Sequence, residues 1–172
     1  EPLARGGRAG PRHLLTARRV VAQGQHRGRQ GLVVARRRQQ AVEIDPAITT
    51  RAQIEALARL GFNRISMGVQ DFDPKVQETV GRIQGEKETA DLVAAARENG
   101  FRGVNLDLIY GLPYQTPDTW KRTLDRILDI HPDRLAVFGF AYVPWVKPHQ
   151  RLLPEAALPR PSERVALFLA AV

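Results

Sequence analysis

The stretch Val104-Asn105-Leu106-Asp107-Leu108-Ile109-Tyr110-Gly111-Leu112-Pro113 constrains the fold more than any other part of the chain. Val104, Leu106, Leu108 and Tyr110 alternate with Asn105, Asp107 and Ile109, which is the period of a strand with one buried face. Gly111 and Pro113 stop the strand. Thr116-Pro117 then opens a helix, with a threonine N-cap and proline at the first helical position. A carboxylate, Asp107, therefore sits inside an apolar strand near its carboxyl end, and burying a carboxylate is costly unless a partner compensates. In sheets with crossover helices that end is where ligands bind. Asp107 is thus the first candidate site residue, the alternative being an Asp that caps a neighbouring loop.

The same grammar recurs on both sides. Ala41-Val42-Glu43-Ile44 reads as a short strand ended by Asp45-Pro46. Thr50-Arg51-Ala52-Gln53 fits a capping box, followed by Ile54, Leu57, Ala58 and Leu60 on one helical face, with Gly61 as the terminating residue. Residues 64–70 form the next strand. Asp73-Pro74 caps a short helix to about Val80, and 81–85 is a loop carrying Arg82. A helix over 86–99 turns Leu92, Val93 and Ala96 inward and ends at Gly100. Beyond the central strand, a helix over 117–130 faces inward with Trp120, Leu124, Ile127 and Leu128. His131-Pro132-Asp133 leads into a fourth strand over 134–142. A Pro-rich connection, 143–161, precedes a last helix from Ser162. Four strands alternating with helices of crossover length predict parallel pairing in an α/β fold, either part of a (β/α) barrel or an open doubly wound sheet. No Gly-x-Gly-x-x-Gly follows a strand, so a dinucleotide fold has no support.

The net charge of +8 would suggest a nucleic-acid partner were it spread over the chain. It is not. Residues 1–40 hold ten Arg and a single acid, Glu1, giving +9, and the remainder carries −1. The first segment also lacks Lys, Ile, Phe, Tyr, Trp, Asn, Asp, Ser and Met, and so should pack poorly. It reads as an arginine arm that neutralises phosphates, as a transit peptide lacking the usual serines, or as a GC-rich gene translated out of frame. The third reading is preferred, and nucleic acid is not an expected partner. The chain has no cysteine, which excludes disulfides and thiolate-held metal in the chain as given. No apolar run is long enough for a membrane span and no secretory block opens the chain, so a cytoplasmic protein without membrane contact is expected. Starting at Glu1 and stopping within an apolar helical pattern, the sequence reads as a fragment truncated at both ends.

Polar residues recur at the strand ends: Glu43 on the first, Gln70 on the second, Asp107 on the third and Ala141-Tyr142 after the fourth, with Arg82 in the loop following the second. A glutamate on a short strand can be a solvated edge residue, a strand-end Gln can bond neighbouring backbone, and a loop Arg can be solvated. As a set they match the carboxyl-end placement of barrel active sites. Two acids, an amide and a guanidinium suit a ligand bearing an ammonium, a carboxylate and a ribose diol. His131 and His149 receive no role.

Glu43-Ile44-Asp45-Pro46, Gly61-Phe62-Asn63-Arg64-Ile65-Ser66-Met67-Gly68-Val69-Gln70-Asp71-Phe72, Gly81-Arg82-Ile83-Gln84 and Asp107-Leu108-Ile109-Tyr110-Gly111-Leu112-Pro113 follow one another in order. Together they resemble the oxygen-independent coproporphyrinogen III oxidases of the radical S-adenosylmethionine (radical SAM) enzymes, over about residues 42–172. The Glu-x-Asp-Pro and Met-Gly-Val-Gln-Asp-Phe forms resemble the oxidase rather than the related haem-chaperone branch, which binds haem without oxidising it and is the alternative reading. The resemblance implies a six-stranded partial barrel, a [4Fe-4S] cluster and two S-adenosylmethionine molecules. Glu43 and Ala141 fall on positions contacting the cluster-bound molecule, and Gln70, Arg82 and Asp107 on positions contacting the second. It further implies a porphyrinogen substrate oxidatively decarboxylated to protoporphyrinogen IX, an unidentified electron donor and a monomer when intact. The family's Cys-x-x-x-Cys-x-x-Cys motif is missing, so the fragment alone is expected to be inactive. A Gly-Gly-Thr-Pro turn belongs near Gly10, where Ala9-Gly10-Pro11-Arg12-His13 stands; a shifted reading of plausible GC-rich codons there gives Gly-Thr-Pro-Thr. Residues 1–40 are therefore expected to be frameshifted, with the frame restored just before Val42.

Overall fold

The computed structural model describes residues 39–172. The segment 1–38, and with it the expectation of out-of-frame translation and of the displaced turn near Gly10, lies outside the described residues. Four strands, β1 (Ala41–Ile44), β2 (Arg64–Gln70), β3 (Gly103–Tyr110) and β4 (Arg134–Gly139), form one parallel sheet in the order β1-β2-β3-β4. Helix α1 (Arg51–Arg59) joins β1 to β2, α2 (Pro74–Val80) and α3 (Glu86–Glu98) join β2 to β3, and α4 (Pro117–Asp129) joins β3 to β4. After β4 come two 3₁₀ turns, Pro148–Leu152 and Glu155–Ala157, and then α5 (Pro161–Ala170). Strand order follows chain order without a reversal. That is the order of a barrel segment, with none of the described strands lying across a switch point.

The elements begin where local chemistry puts them. Thr50 and Thr116 each accept from the backbone N–H three residues on, and the Gln53 and Thr119 side chains accept in return from the cap backbone. The Asp73 side chain accepts from the N–H groups of Lys75 and Val76, with Pro74 in the first turn of α2. Gly61, Gly81 and Gly100 close their helices with positive φ.

Alternation sorts the strand side chains onto two faces. Val42 and Ile44, Ile65, Met67 and Val69, and Val104, Leu106 and Leu108 are buried against the helices. They form one core with Ile54, Leu92, Val93, Ala96, Trp120, Ile127 and Leu167. The opposite face carries Glu43, Ser66, Gly68, Gln70, Asn105, Asp107, Ala136 and Phe138, and is polar along β2 and β3. Among the described residues no helix is long and apolar enough to cross a membrane.

Three details depart from the sequence expectation. Leu128 is 58 % exposed, because Trp120, Thr123 and Ile127 set the buried face of α4 and Leu128 lies well round the helix from them. Leu60 is 71 % exposed at the end of α1. Strand β4 stops at Gly139 rather than at residue 142. There the Gln150 side chain takes over from the ladder, accepting from Val143 N at 2.6 Å and donating to the Ala141 carbonyl at 2.9 Å.

Candidate functional site

The carboxyl ends of β2 and β3 converge on Gly68. The ladder between them shifts register between Gly68 and Gln70, and Gln70 takes a left-handed backbone at φ 69°. For a non-glycine residue that conformation costs of order 1 kcal/mol. A bulge and a strained residue together at a strand end re-aim a side chain. Here the Gln70 amide folds back over Gly68: a β-carbon on Gly68 would lie 3.0 Å from Gln70 Nε2 and 3.3 Å from Arg82 Nη1. Arg82 arrives from the loop after α2, donating to the Gly68 carbonyl at 3.4 Å and lying 3.7 Å from the Asp45 carboxylate. Asp107 is the register partner of Gly68 on β3. Three of the five candidates, Gln70, Arg82 and Asp107, thus surround one glycine.

Glu43 and Ala141 are placed differently. Glu43 pairs in register with Ser66, one layer nearer the amino end than the Gly68–Asp107 row, and is exposed. Ala141 lies past β4, its carbonyl accepting from Gln150 Nε2 at 2.9 Å. Among the described residues, neither is hydrogen-bonded to any of the other three candidates.

Several site-building residues were not singled out by sequence. Asp107 is half-buried and fully engaged from below: Ser66 Oγ donates to its Oδ2 at 2.9 Å, and Asn105 Nδ2 donates to its Oδ1 at 2.6 Å and to Ser66 Oγ at 2.8 Å. The strand pattern put Asn105 on the polar face with Asp107 but gave no sign of their bond or of Ser66. The more deeply buried carboxylate is Asp71, 1 % exposed. It accepts from Thr123 Oγ1 at 2.7 Å, from Asp73 N at 2.6 Å and from Gln115 Nε2. Burial raises its pKa, and these donors oppose the rise without cancelling it. Gln77 and Gln84 fasten the Arg82 loop beneath it. Gln77 Nε2 donates to the Asp71 and Gln84 carbonyls, each at 2.8 Å, and Gln84 Nε2 donates to the Gly68 carbonyl at 3.2 Å and to that of Val69.

What the arrangement lacks is as informative as what it holds. Gln70 Oε1 is buried with no hydrogen-bond partner, and an unpaired buried acceptor calls for a donor. A ligand bearing an ammonium or hydroxyl supplies one, and Arg82 offers a guanidinium to a carboxylate. S-adenosylmethionine carries all three groups, so the residues present fit it. They do not fit an iron–sulfur cluster: the sequence holds no cysteine, and the described residues contain no group of three His, Cys, Asp or Glu able to hold a metal.

Gly68→Ala tests the cradle separately from the fold. The methyl group would meet only the ends of two flexible side chains, so stability should change by no more than about 0.5 kcal/mol. Gln70 and Arg82 must move aside, so if they hold S-adenosylmethionine its affinity should fall roughly tenfold, read by calorimetric titration alongside thermal melting.

The chain is 46 % identical over 132 residues to the oxygen-independent coproporphyrinogen III oxidase of Synechocystis, covering 77 % of this chain and 28 % of the relative. It is 46 % identical over 127 residues to the Pseudomonas aeruginosa protein of that name, covering 74 % and 28 %. The structure of Escherichia coli coproporphyrinogen III oxidase (HemN), a radical SAM enzyme, matches with a TM-score of 0.75 at 42 % identity, over 76 % of this chain and 30 % of that one. The chain therefore spans under a third of the length of these relatives. The Radical SAM superfamily model matches residues 23–127, taking in part of the Arg-rich segment as well as β1 to α4. With a parallel sheet in barrel order and a polar cradle at its carboxyl end, the chain belongs to the radical SAM superfamily.

Proposed function

We propose that this chain is the part of an oxygen-independent coproporphyrinogen III oxidase that binds S-adenosylmethionine through Gln70, Arg82 and Asp107. The observation that carries the reading is the meeting of Gln70 and Arg82 over Gly68, beside Asp107, with the side-chain oxygen Gln70 Oε1 buried and unpaired. Arg82 clamps the ligand's carboxylate, the Gln70 oxygen accepts from its ammonium or a hydroxyl, and Asp107 accepts from a further donor. Glu43, on β1, and Ala141, past β4, border the other molecule of the same ligand, the one that is cluster-bound in the enzymes the chain resembles. In the enzymes it resembles, S-adenosylmethionine supplies the radical that starts oxidative loss of carbon dioxide from two propionates of the porphyrinogen. This chain's part is to bind and orient; an electron donor and the thiolates for a cluster have to come from outside it.

The test is a calorimetric titration of the 172-residue chain with S-adenosylmethionine. Saturable binding is expected, weakened about tenfold or more by Arg82→Ala and by Gln70→Ala, with circular dichroism unchanged. Unaltered affinity in both variants refutes the site. Anaerobic treatment with iron and sulfide should leave the chain without iron–sulfur absorbance and without oxidase activity, because it has no thiolate ligand.

A further inference from the structure

We propose that Ser66 and Asn105 are positioning residues that fix the Asp107 carboxylate for its ligand; this rests on the reading of Asp107 as part of the S-adenosylmethionine site. The three side chains sit on the same face of adjacent strands, Ser66 opposite Asn105 in register and Gly68 opposite Asp107. Asparagine is a poor strand residue, and in mid-strand it needs a local reason. Hydrogen-bond bookkeeping supplies it. The Asn105 amide nitrogen spends its two hydrogens on Asp107 Oδ1 and Ser66 Oγ. Ser66 Oγ is thereby an acceptor toward Asn105, so its one proton goes to Asp107 Oδ2, at 2.9 Å. The ring closes with every donor used and every direction determined.

A carboxylate has about four acceptor positions. The ring fills one on each oxygen from the amino-end side, which stops rotation about the Cβ–Cγ bond and leaves the remaining positions open. The register neighbour Gly68 has no side chain to obstruct them, and across it lie Gln70 Nε2 and Arg82 Nη1. An acceptor already locked in orientation binds its donor without losing that freedom on complex formation.

The experiment is a double-mutant cycle on the full 172-residue chain, read by calorimetric titration with S-adenosylmethionine, folding being checked by circular dichroism. Asn105→Ala should weaken binding roughly tenfold, yet change it less than about twofold in an Asp107→Ala background, because it acts only through that carboxylate. Ser66→Ala should weaken binding and Ser66→Thr, which keeps the hydroxyl, should restore it. Equal losses from Asn105→Ala in both backgrounds, or identical behaviour of Ser66→Ala and Ser66→Thr, overturn the proposal. A parent chain that binds while Asn105→Ala is neutral overturns this inference alone. A parent chain that binds no S-adenosylmethionine overturns the site and this inference with it.

Discussion

Trp120→Ala should lower the stability of the chain by about 3–5 kcal/mol, the range for removing a large aromatic side chain from a close-packed core. Trp120 is wholly buried, and its indole N–H donates to the Leu167 carbonyl at 2.9 Å. The side chain therefore does two jobs. Its ring fills space between α4 and the sheet, and its N–H ties α4 to α5. Trp120→Phe separates them: most of the ring remains, the carbonyl of Leu167 loses its partner, and the loss should be about 1–2 kcal/mol. Urea titration followed by far-ultraviolet circular dichroism measures both. The effect should also reach the candidate site, because Arg164 on α5 donates to the Phe140 carbonyl at 2.7 Å, next to Ala141. In Trp120→Ala the amides of residues 140–143 should exchange faster with deuterium than in the parent. A loss below about 1 kcal/mol would mean that α5 is held by other contacts.

Trp120 also marks what a sequence can disclose. Its place on the apolar face of α4 is legible because a helix repeats locally, as are the Thr50, Asp73 and Thr116 caps, which depend on residues three positions apart. The polar face of β3 is legible for the same reason, and with it Asp107. Leu128 misleads because an apolar residue at the edge of a helical stripe is buried only if a neighbour covers it, and nothing local says so. At that level of the chain the inward face is completed by Thr123, whose hydroxyl donates to Asp71, 52 positions away in sequence. The Gln115–Asp71 bond spans 44 positions, and the Ser66–Asp107 bond 41. Such partners are set by sheet register and crossover packing, so periodicity cannot announce them. Gln70, Arg82 and Asp107 could be listed one by one as strand-end and loop residues. Their meeting at Gly68 depends on the left-handed turn of Gln70 and on a loop fastened by Gln77 and Gln84.

Asp71→Asn should destabilise the chain by about 2–3 kcal/mol although it changes one atom. The reason lies in Gln115, whose amide cannot turn over. Its Oε1 accepts from Gly111 N at 2.6 Å and from Leu112 N at 3.2 Å, so Nε2 has to face Asp71 Oδ2 and the Ile109 carbonyl. On the other oxygen, Asp71 accepts from Thr123 Oγ1 and Asp73 N, and the Thr123 oxygen itself accepts from Phe72 N at 3.3 Å. Every group around the carboxylate is a donor. An asparagine can satisfy one side only, and its own N–H₂ must then confront a buried donor on the other. The pH dependence has a definite sign. Burial raises the pKa of Asp71 above its ordinary value of 3.8 despite the opposing donors. A raised folded-state pKa contributes stability that is fully present below the unfolded value and is lost as pH rises through the folded one. The gap between the parent and Asp71→Asn should therefore be widest in acid and narrow as pH rises above 3.8, while remaining destabilising at neutrality. Thermal melts of both proteins across that interval measure it, and a gap that widens with pH would show that the three donors outweigh burial. Because Asp71 links the turn after β2 to the turn after β3, the same substitution should loosen Gln70 and weaken S-adenosylmethionine binding without touching the ligand. The site's geometry is in this sense a consequence of a carboxylate that never reaches it.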